Sequence, residues 1–239
     1  MSFELHKAAQ EGNGLIVDGL MSQDPRLVLQ SDEDSRTPLH WACTFQHEQI
    51  VRRLLAVPKS QFEIDIDHMV DESGWTPFHI ACSVGNLEIV KLLAQHDPAP
   101  DVNLATSSGQ TGLFYAVSKG HYDVVEYLVT ECKASARIKD KRAQLPLHRA
   151  ASIGAEKICE LLIKKANSPL NAQDIYGFTA LHHALSEGHG DLALKLVKLG
   201  ADFRVADKDG QLPVDVAVDD KVRKFFVKSL QDEGLIESA

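Results

Sequence analysis

A recurring spacing limits what this chain can fold into more than any other feature. Leu5, Leu39, Phe78, Leu113, Leu147, Leu181 and Val214 follow one another at gaps of 34, 39, 35, 34, 34 and 33 residues. Three residues beyond each stands an alanine: Ala8, Ala42, Ala81, Ala116, Ala150, Ala184 and Ala217. A large apolar residue followed at i+3 by a small one makes a helical face that a neighbouring helix can approach closely. A period of this length marks an array of supersecondary units, none of which can bury its apolar face alone.

Other residue types keep register with these anchors. Seven positions before an anchor stands Asp32, Asp71, Asp140, Asp174 or Asp207, with Thr106 as the one substitute. Four before it stands Gly74, Gly109, Gly177 or Gly210, or else Ser35 or Ala143, where a tight hairpin turn needs a positive φ. Pro38, Pro77, Pro146 and Pro213 are placed to open a short helix. Gly12, Gly85, Gly120, Gly154 and Gly188 are placed to end it in the left-handed conformation. A second segment with helical apolar spacing follows, as in Leu87–Leu93 and Lys157–Leu162.

The reading is one domain over residues 1–239, with repeats at 1–31, 32–70, 71–105, 106–139, 140–173, 174–206 and 207–239. The first lacks its hairpin. The last carries a basic-aromatic helix around Lys221–Phe226, and the gap of 39 predicts an enlarged surface loop at Val57–Val70.

Net charge of −9 disfavours nonspecific binding to nucleic acid or an anionic membrane. The start of the chain shows no basic segment followed by an apolar one, and no run is long enough to suggest a membrane span. Cys43, Cys82, Cys132 and Cys159 are scattered, which fits reduced thiols in the cytoplasm or nucleus.

Thr37-Pro38-Leu39-His40-Trp41-Ala42 and Thr76-Pro77-Phe78-His79-Ile80-Ala81 resemble the ankyrin signature, and the resemblance runs from about Phe3 to Leu230. It implies an all-α repeat solenoid of seven ankyrin repeats, helix-turn-helix units with β-hairpin tips. Gly112 and Phe114 depart from the Pro and His of that signature, so the fourth repeat is expected to be locally looser.

Five of the eleven histidines (His6, His40, His79, His148 and His182) occupy one repeat position. There an imidazole is expected to tie adjacent hairpins through backbone hydrogen bonds. His40 with Cys43, and His79 with Cys82, have metal-ligand spacing, but repetition alone produces both pairs. No phosphate-binding loop, nucleophile elbow or dinucleotide fingerprint is present. No enzyme, metal or cofactor is expected.

The positions the repeat leaves free carry the functional information. In this fold the tips and the ends of the first helices line a concave face. There the first repeats place Glu11, Asp32, Glu33, Asp34, Asp71 and Glu72, with Arg36 at a tip. The fourth and fifth place Lys119, Arg137, Lys139, Lys141, Arg142 and Arg149, and the sixth adds Glu187. Trp41, Phe45, Trp75, Tyr115, Tyr176 and Phe178 are the candidate aromatic anchors. Charges sorted by sign along a chain can steer and register a partner of opposite pattern. The plain alternative is a set of solvated tips.

Asp71–Leu93, Arg137–Gly154, Glu187–Asp191 and Thr37–Cys43 resemble the gankyrin family, whose members are seven-repeat chaperones of proteasome assembly. Trp41, Trp75 and the Leu147–Ala151 unit without a preceding threonine carry that likeness. It implies binding to the C-terminal helical domain of the third ATPase subunit of the 19S regulatory particle. Such binding would assist base assembly and block premature docking on the 20S core. It also implies a protein that is monomeric on its own, in cytoplasm and nucleus. Mammalian members carry a Leu-x-Cys-x-Glu retinoblastoma-binding motif where this chain has His183-Ala184-Leu185-Ser186-Glu187, so that activity is not expected. An ankyrin inhibitor or adaptor of a kinase or transcription factor remains the alternative, and capture of the partner discriminates between them.

Overall fold

The computed structural model describes residues 3–237. Among them are thirteen α-helices and no strands. The expected β-hairpin tips are instead compact turns, with a single bridge pairing Ala105 and Thr111. The chain divides into two compact units, residues 1–128 and 129–239.

In the first unit α1 (Glu4–Glu11), α3 (Pro38–Thr44), α5 (Pro77–Val84) and α7 (Gly112–Ser118) pack one on the next. Behind them lie α2 (Gly14–Gln23), α4 (Glu48–Leu55) and α6 (Leu87–Ala94), and α8 (Tyr122–Thr130) follows α7, its last residues in the second unit. In the second unit α9 (Pro146–Ser152) packs on α11 (Ala180–Ser186), backed by α10 (Glu156–Lys164) and α12 (Gly190–Lys198), with α13 (Asp220–Asp232) against α12. The first six anchors and their alanines are buried, which is the close approach the small side chain permits.

The tips are built by the repeating aspartate. Asp32, Asp71, Asp140, Asp174 and Asp207 each accept, on Oδ1, the backbone N–H groups two and four residues on. Ser35 and Ala143 occupy the glycine slot at φ 62° and 57°, so the turn keeps its form at a cost in backbone strain. Successive tips are joined by backbone bonds such as Ser107 N–H to Ser73 O (3.1 Å) and Lys208 N–H to Tyr176 O (3.1 Å).

The histidine position does what the repeat implied. In His40, Nδ1 accepts the Thr37 N–H (3.0 Å) and lies 2.9 Å from the Thr37 hydroxyl, so Nε2 carries the proton and donates to Trp75 O at 3.0 Å. His79 and His182 repeat this with Thr76 and Thr179, reaching Leu104 O and Gln211 O. His148 does so without a hydroxyl, through Leu145 N–H and Ala172 O. His6 reaches Gln30 O and Arg36 O. With both ring nitrogens of His40 and His79 engaged, the two histidine–cysteine pairs are structural. Burial also pushes the Cys43 thiol far above its ordinary range.

Three expectations are corrected. The Val57–Val70 loop is not wholly on the surface: Ile64, Ile66 and Met69 are buried, and His96 Nε2 bonds Ile64 O at 3.0 Å. The fourth repeat is not loose, because Thr111 through Val117 are all buried. Gly112 lies so close to Cys82 that a Cβ there would stand 2.9 Å from its sulfur. Finally, Pro213 opens no α-helix. Residues 213–216 form turns, the Asp215 carboxylate takes Leu212 N–H, and Ala217 is only half-buried.

Candidate functional site

Each unit presents its own set of exposed site residues. In the first, a groove of about 740 Å³ lies between α1 and the first tip. Its apolar lining is Phe3, Trp41 and Phe45, and its polar rim includes Lys7, Gln10, Glu11 and Asp32–Asp34. Trp41 and Phe45 stack with centroids 6.3 Å apart, and Phe45 is 45% exposed. Trp41 is held from below by its Nε1–H, which donates to Asp32 Oδ2 at 2.7 Å, while the Arg36 guanidinium lies 5.2 Å over the ring. Burial acts upwards on the Asp32 carboxyl, but the Trp41 indole and the Arg36 and Asp34 backbone donors outweigh it and hold the group below its ordinary range. Asp32 therefore stays ionised beneath an aromatic floor, with Glu11, Glu33 and Asp34 exposed around it. Such a groove attracts a cationic segment that carries apolar side chains.

Not every expected residue of this unit is displayed. Asp71 is buried, its Oδ1 bonded to Ser73 and Trp75 N–H and its Oδ2 to the Arg36 guanidinium at 3.2 Å. Tyr115 is buried too: its ring lies 4.0 Å from Trp75 and its hydroxyl meets Thr106 and Ser108. Asp71 and Tyr115 are therefore structural rather than displayed, and Arg36 is largely spent on Asp71. Trp75 is half-buried, while Glu72 and Lys119 are exposed.

In the second unit the tip of the fifth repeat exposes Lys141 and Arg142, and α9 exposes Arg149. Among the described residues none of the three forms an ion pair. Arg137 and Lys139 are partly engaged by Asn167 O and Gln173 O. The next tip projects Tyr176, 60% exposed, beside a half-buried Phe178 that stacks on His182 at 5.1 Å. Glu187 is exposed at the end of α11. The arrangement offers cations next to a protruding phenol, suited to an acidic partner surface.

Sequence reasoning missed two groups. His183 binds Asp174 Oδ2 at 2.9 Å, with Gln144 Nε2 on the same oxygen at 3.2 Å. Burial acts upwards on Asp174, and these donors with the Tyr176 and Phe178 N–H groups hold it low. The second group is a further histidine ladder: His47, His121 and His189 reach Gln10 O, Ser83 O and Ser152 O in the preceding repeat. The signal was present, since each stands eight residues after an anchor. Each also packs against the preceding repeat's left-handed glycine, Gly12, Gly85 or Gly154.

The model for ankyrin repeats (3 copies) matches residues 5–103, 59–140 and 113–207. A Saccharomyces cerevisiae protein described as probable 26S proteasome regulatory subunit p28 is 46% identical over 230 residues, covering 96% of this chain and 99% of its own length. The chain belongs to the gankyrin family of ankyrin-repeat proteins. A Schizosaccharomyces pombe ankyrin repeat-containing protein, C6C3.08, is 37% identical over 92% of each chain. Among solved structures, the ankyrin repeat domain of Bcl-3 superposes with a TM-score of 0.76 at 26% identity, covering 94% of this chain and 97% of that one.

Proposed function

We propose that this chain is a non-catalytic chaperone of proteasome assembly. It binds the C-terminal helical domain of the third ATPase subunit of the 19S regulatory particle, assists base assembly and blocks premature docking on the 20S core, in cytoplasm and nucleus. The observation that carries this reading is the 46% identity, over nearly the whole of both chains, to the yeast protein named as a proteasome regulatory subunit. The site chemistry is consistent with it: an acidic, aromatic-floored groove in the first unit and unpaired cations beside Tyr176 in the second.

The test is a pull-down of the isolated ATPase C-terminal domain by the full chain at moderate salt. A stable complex is expected, weakened by added salt and by Lys141→Glu with Arg142→Glu. Failure of the unaltered chain to retain the domain refutes the proposal. The alternative is an ankyrin-repeat inhibitor or adaptor of a kinase or transcription factor, and identification of what co-elutes with the chain from native extract discriminates between the two.

A further inference from the structure

A second groove, of about 430 Å³, lies in the second unit between the α11–α12 turn and α13. Its floor is the turn itself. Gly188 has φ 85°, and a Cβ on Gly190 would stand 2.8 Å from the Phe225 ring, so the missing side chains let α13 settle onto the turn. Val218 and Phe225 nevertheless remain 57% and 42% exposed, with Val222 between them. Terminal repeats of a stack ordinarily turn a polar face outward. This one leaves an apolar slot.

At Lys221 the groove opens onto a cationic face of α13. On α13, Lys221, Lys224, Phe225 and Lys228 stand at i, i+3, i+4 and i+7, one helical face, while Phe226 and Leu230 are buried. Among the described residues none of these three lysines forms an ion pair, in a chain whose net charge is −9. Two carboxylates also line the groove. Asp219 is committed to Val222 N–H at 2.8 Å, and Asp191 is exposed in the first turn of α12. An incoming acidic group is thereby turned away from the α12 edge and toward the lysine row, with apolar contact left over the glycines.

We propose that this groove docks an acidic segment of a protein partner. One large apolar side chain sits against Val218, Val222 and Phe225, and its flanking carboxylates pair with Lys221, Lys224 and Lys228. The surface is separate from the tip residues and does not depend on the ATPase reading.

The experiment pans a displayed library of twelve-residue peptides on the full chain, then measures synthetic versions of the enriched peptides by fluorescence anisotropy. Enrichment of peptides with carboxylates around one Leu, Ile, Met or Phe is expected. Their affinity should fall at least tenfold in Lys221→Glu/Lys224→Glu/Lys228→Glu and stay unchanged in Lys141→Glu/Arg142→Glu. The lysine changes are all on the surface, and circular dichroism confirms that the fold is retained. Phe225→Ser, checked in the same way, should also weaken binding. Three outcomes overturn the proposal: no acidic-apolar enrichment, binding indifferent to the lysine changes, or α13-dependent binding of phosphatidylserine vesicles in place of peptide. Retention of the ATPase domain by the triple variant separates this test from that of the proposed function.

Discussion

Acidification should weaken the first unit through His40 before any carboxylate titrates. His40 is fully buried, and desolvation lowers its pKa from 6.5 to about 4, against the raising influence of the Trp75 carbonyl. In the unfolded chain it takes a proton near 6.5. Between those values the unfolded state binds the extra proton, so stability falls as pH drops from about 6.5 to about 4 and then levels off. At pH 5 the His40 contribution to that loss is about 2 kcal/mol. His6, His79, His148 and His182 are shifted the same way by the same cause, so the total loss is larger. Asp32 and Asp174, held low, lose their contribution only as pH falls through lower values. The assay is urea unfolding at pH 7 and pH 5, followed by tryptophan fluorescence, because both tryptophans, Trp41 and Trp75, lie in the first unit. His40→Ala leaves the Thr37 N–H unpaired and the Trp75 carbonyl with only the Asp71 N–H, opens a cavity, and should cost about 3–5 kcal/mol at pH 7. Since the variant has no buried imidazole there to protonate, its gap from the unaltered chain should narrow by about 2 kcal/mol at pH 5. A gap that is the same at both pH values refutes the reasoning.

Three substitutions probe the rest of the framework by urea unfolding, followed by tryptophan fluorescence for the two in the first unit and by circular dichroism for Ala143 in the second. Gly85→Ala sets a Cβ 2.4 Å from His121 at φ 87° and should destabilise by about 2–3 kcal/mol, from backbone strain and the loss of the His121–Ser83 bond. A change under about 0.5 kcal/mol would show that the ladder can shift freely. Ala143→Gly relieves a left-handed residue at φ 57° and should stabilise by roughly 0.5–1 kcal/mol; an unchanged or lower midpoint counts against the strain. Tyr115→Phe should cost about 1 kcal/mol through the Thr106 and Ser108 bonds while leaving affinity for the ATPase domain unaltered, and a large loss of affinity would mean the hydroxyl meets a partner.

The framework was legible because its determinants are local and repeated. An aspartate that bonds its own turn, a glycine at positive φ and an alanine beneath a neighbouring helix each act within a few residues, and six helix pairs, α1/α2 through α11/α12, follow one another. The seventh failed for a visible reason. Asp215 stands in its histidine slot, and a carboxylate that takes the Leu212 N–H has no ring N–H to donate onward to a neighbouring tip. The enlarged loop was misread in part because length alone does not show that Ile64, Ile66 and Met69 face inward.

Which tip residues are displayed was less legible, because that depends on how a second carboxylate oxygen is satisfied. Each tip aspartate commits Oδ1 to its own turn and leaves Oδ2 to whatever donor reaches it. In the second and sixth repeats that donor stands two residues after the anchor, Trp41 for Asp32 and His183 for Asp174, and in the fourth Tyr115 serves Thr106. The third repeat has Ile80 there, which cannot donate, and Arg36 from the preceding tip bonds Asp71 Oδ2 at 3.2 Å, which leaves its guanidinium only part-exposed. In the second unit Asp174 Oδ2 already holds His183 and Gln144, and Arg142 on the neighbouring tip contributes only its backbone to the framework. Its guanidinium, with the Lys141 ammonium, is left facing solvent. The side chain three places before an anchor reaches the next tip's aspartate in both units, as Arg36 and as Gln144, so a charge in that slot is held as glue, while cations nearer the tip's end, Lys141 and Arg142, are free to meet a partner.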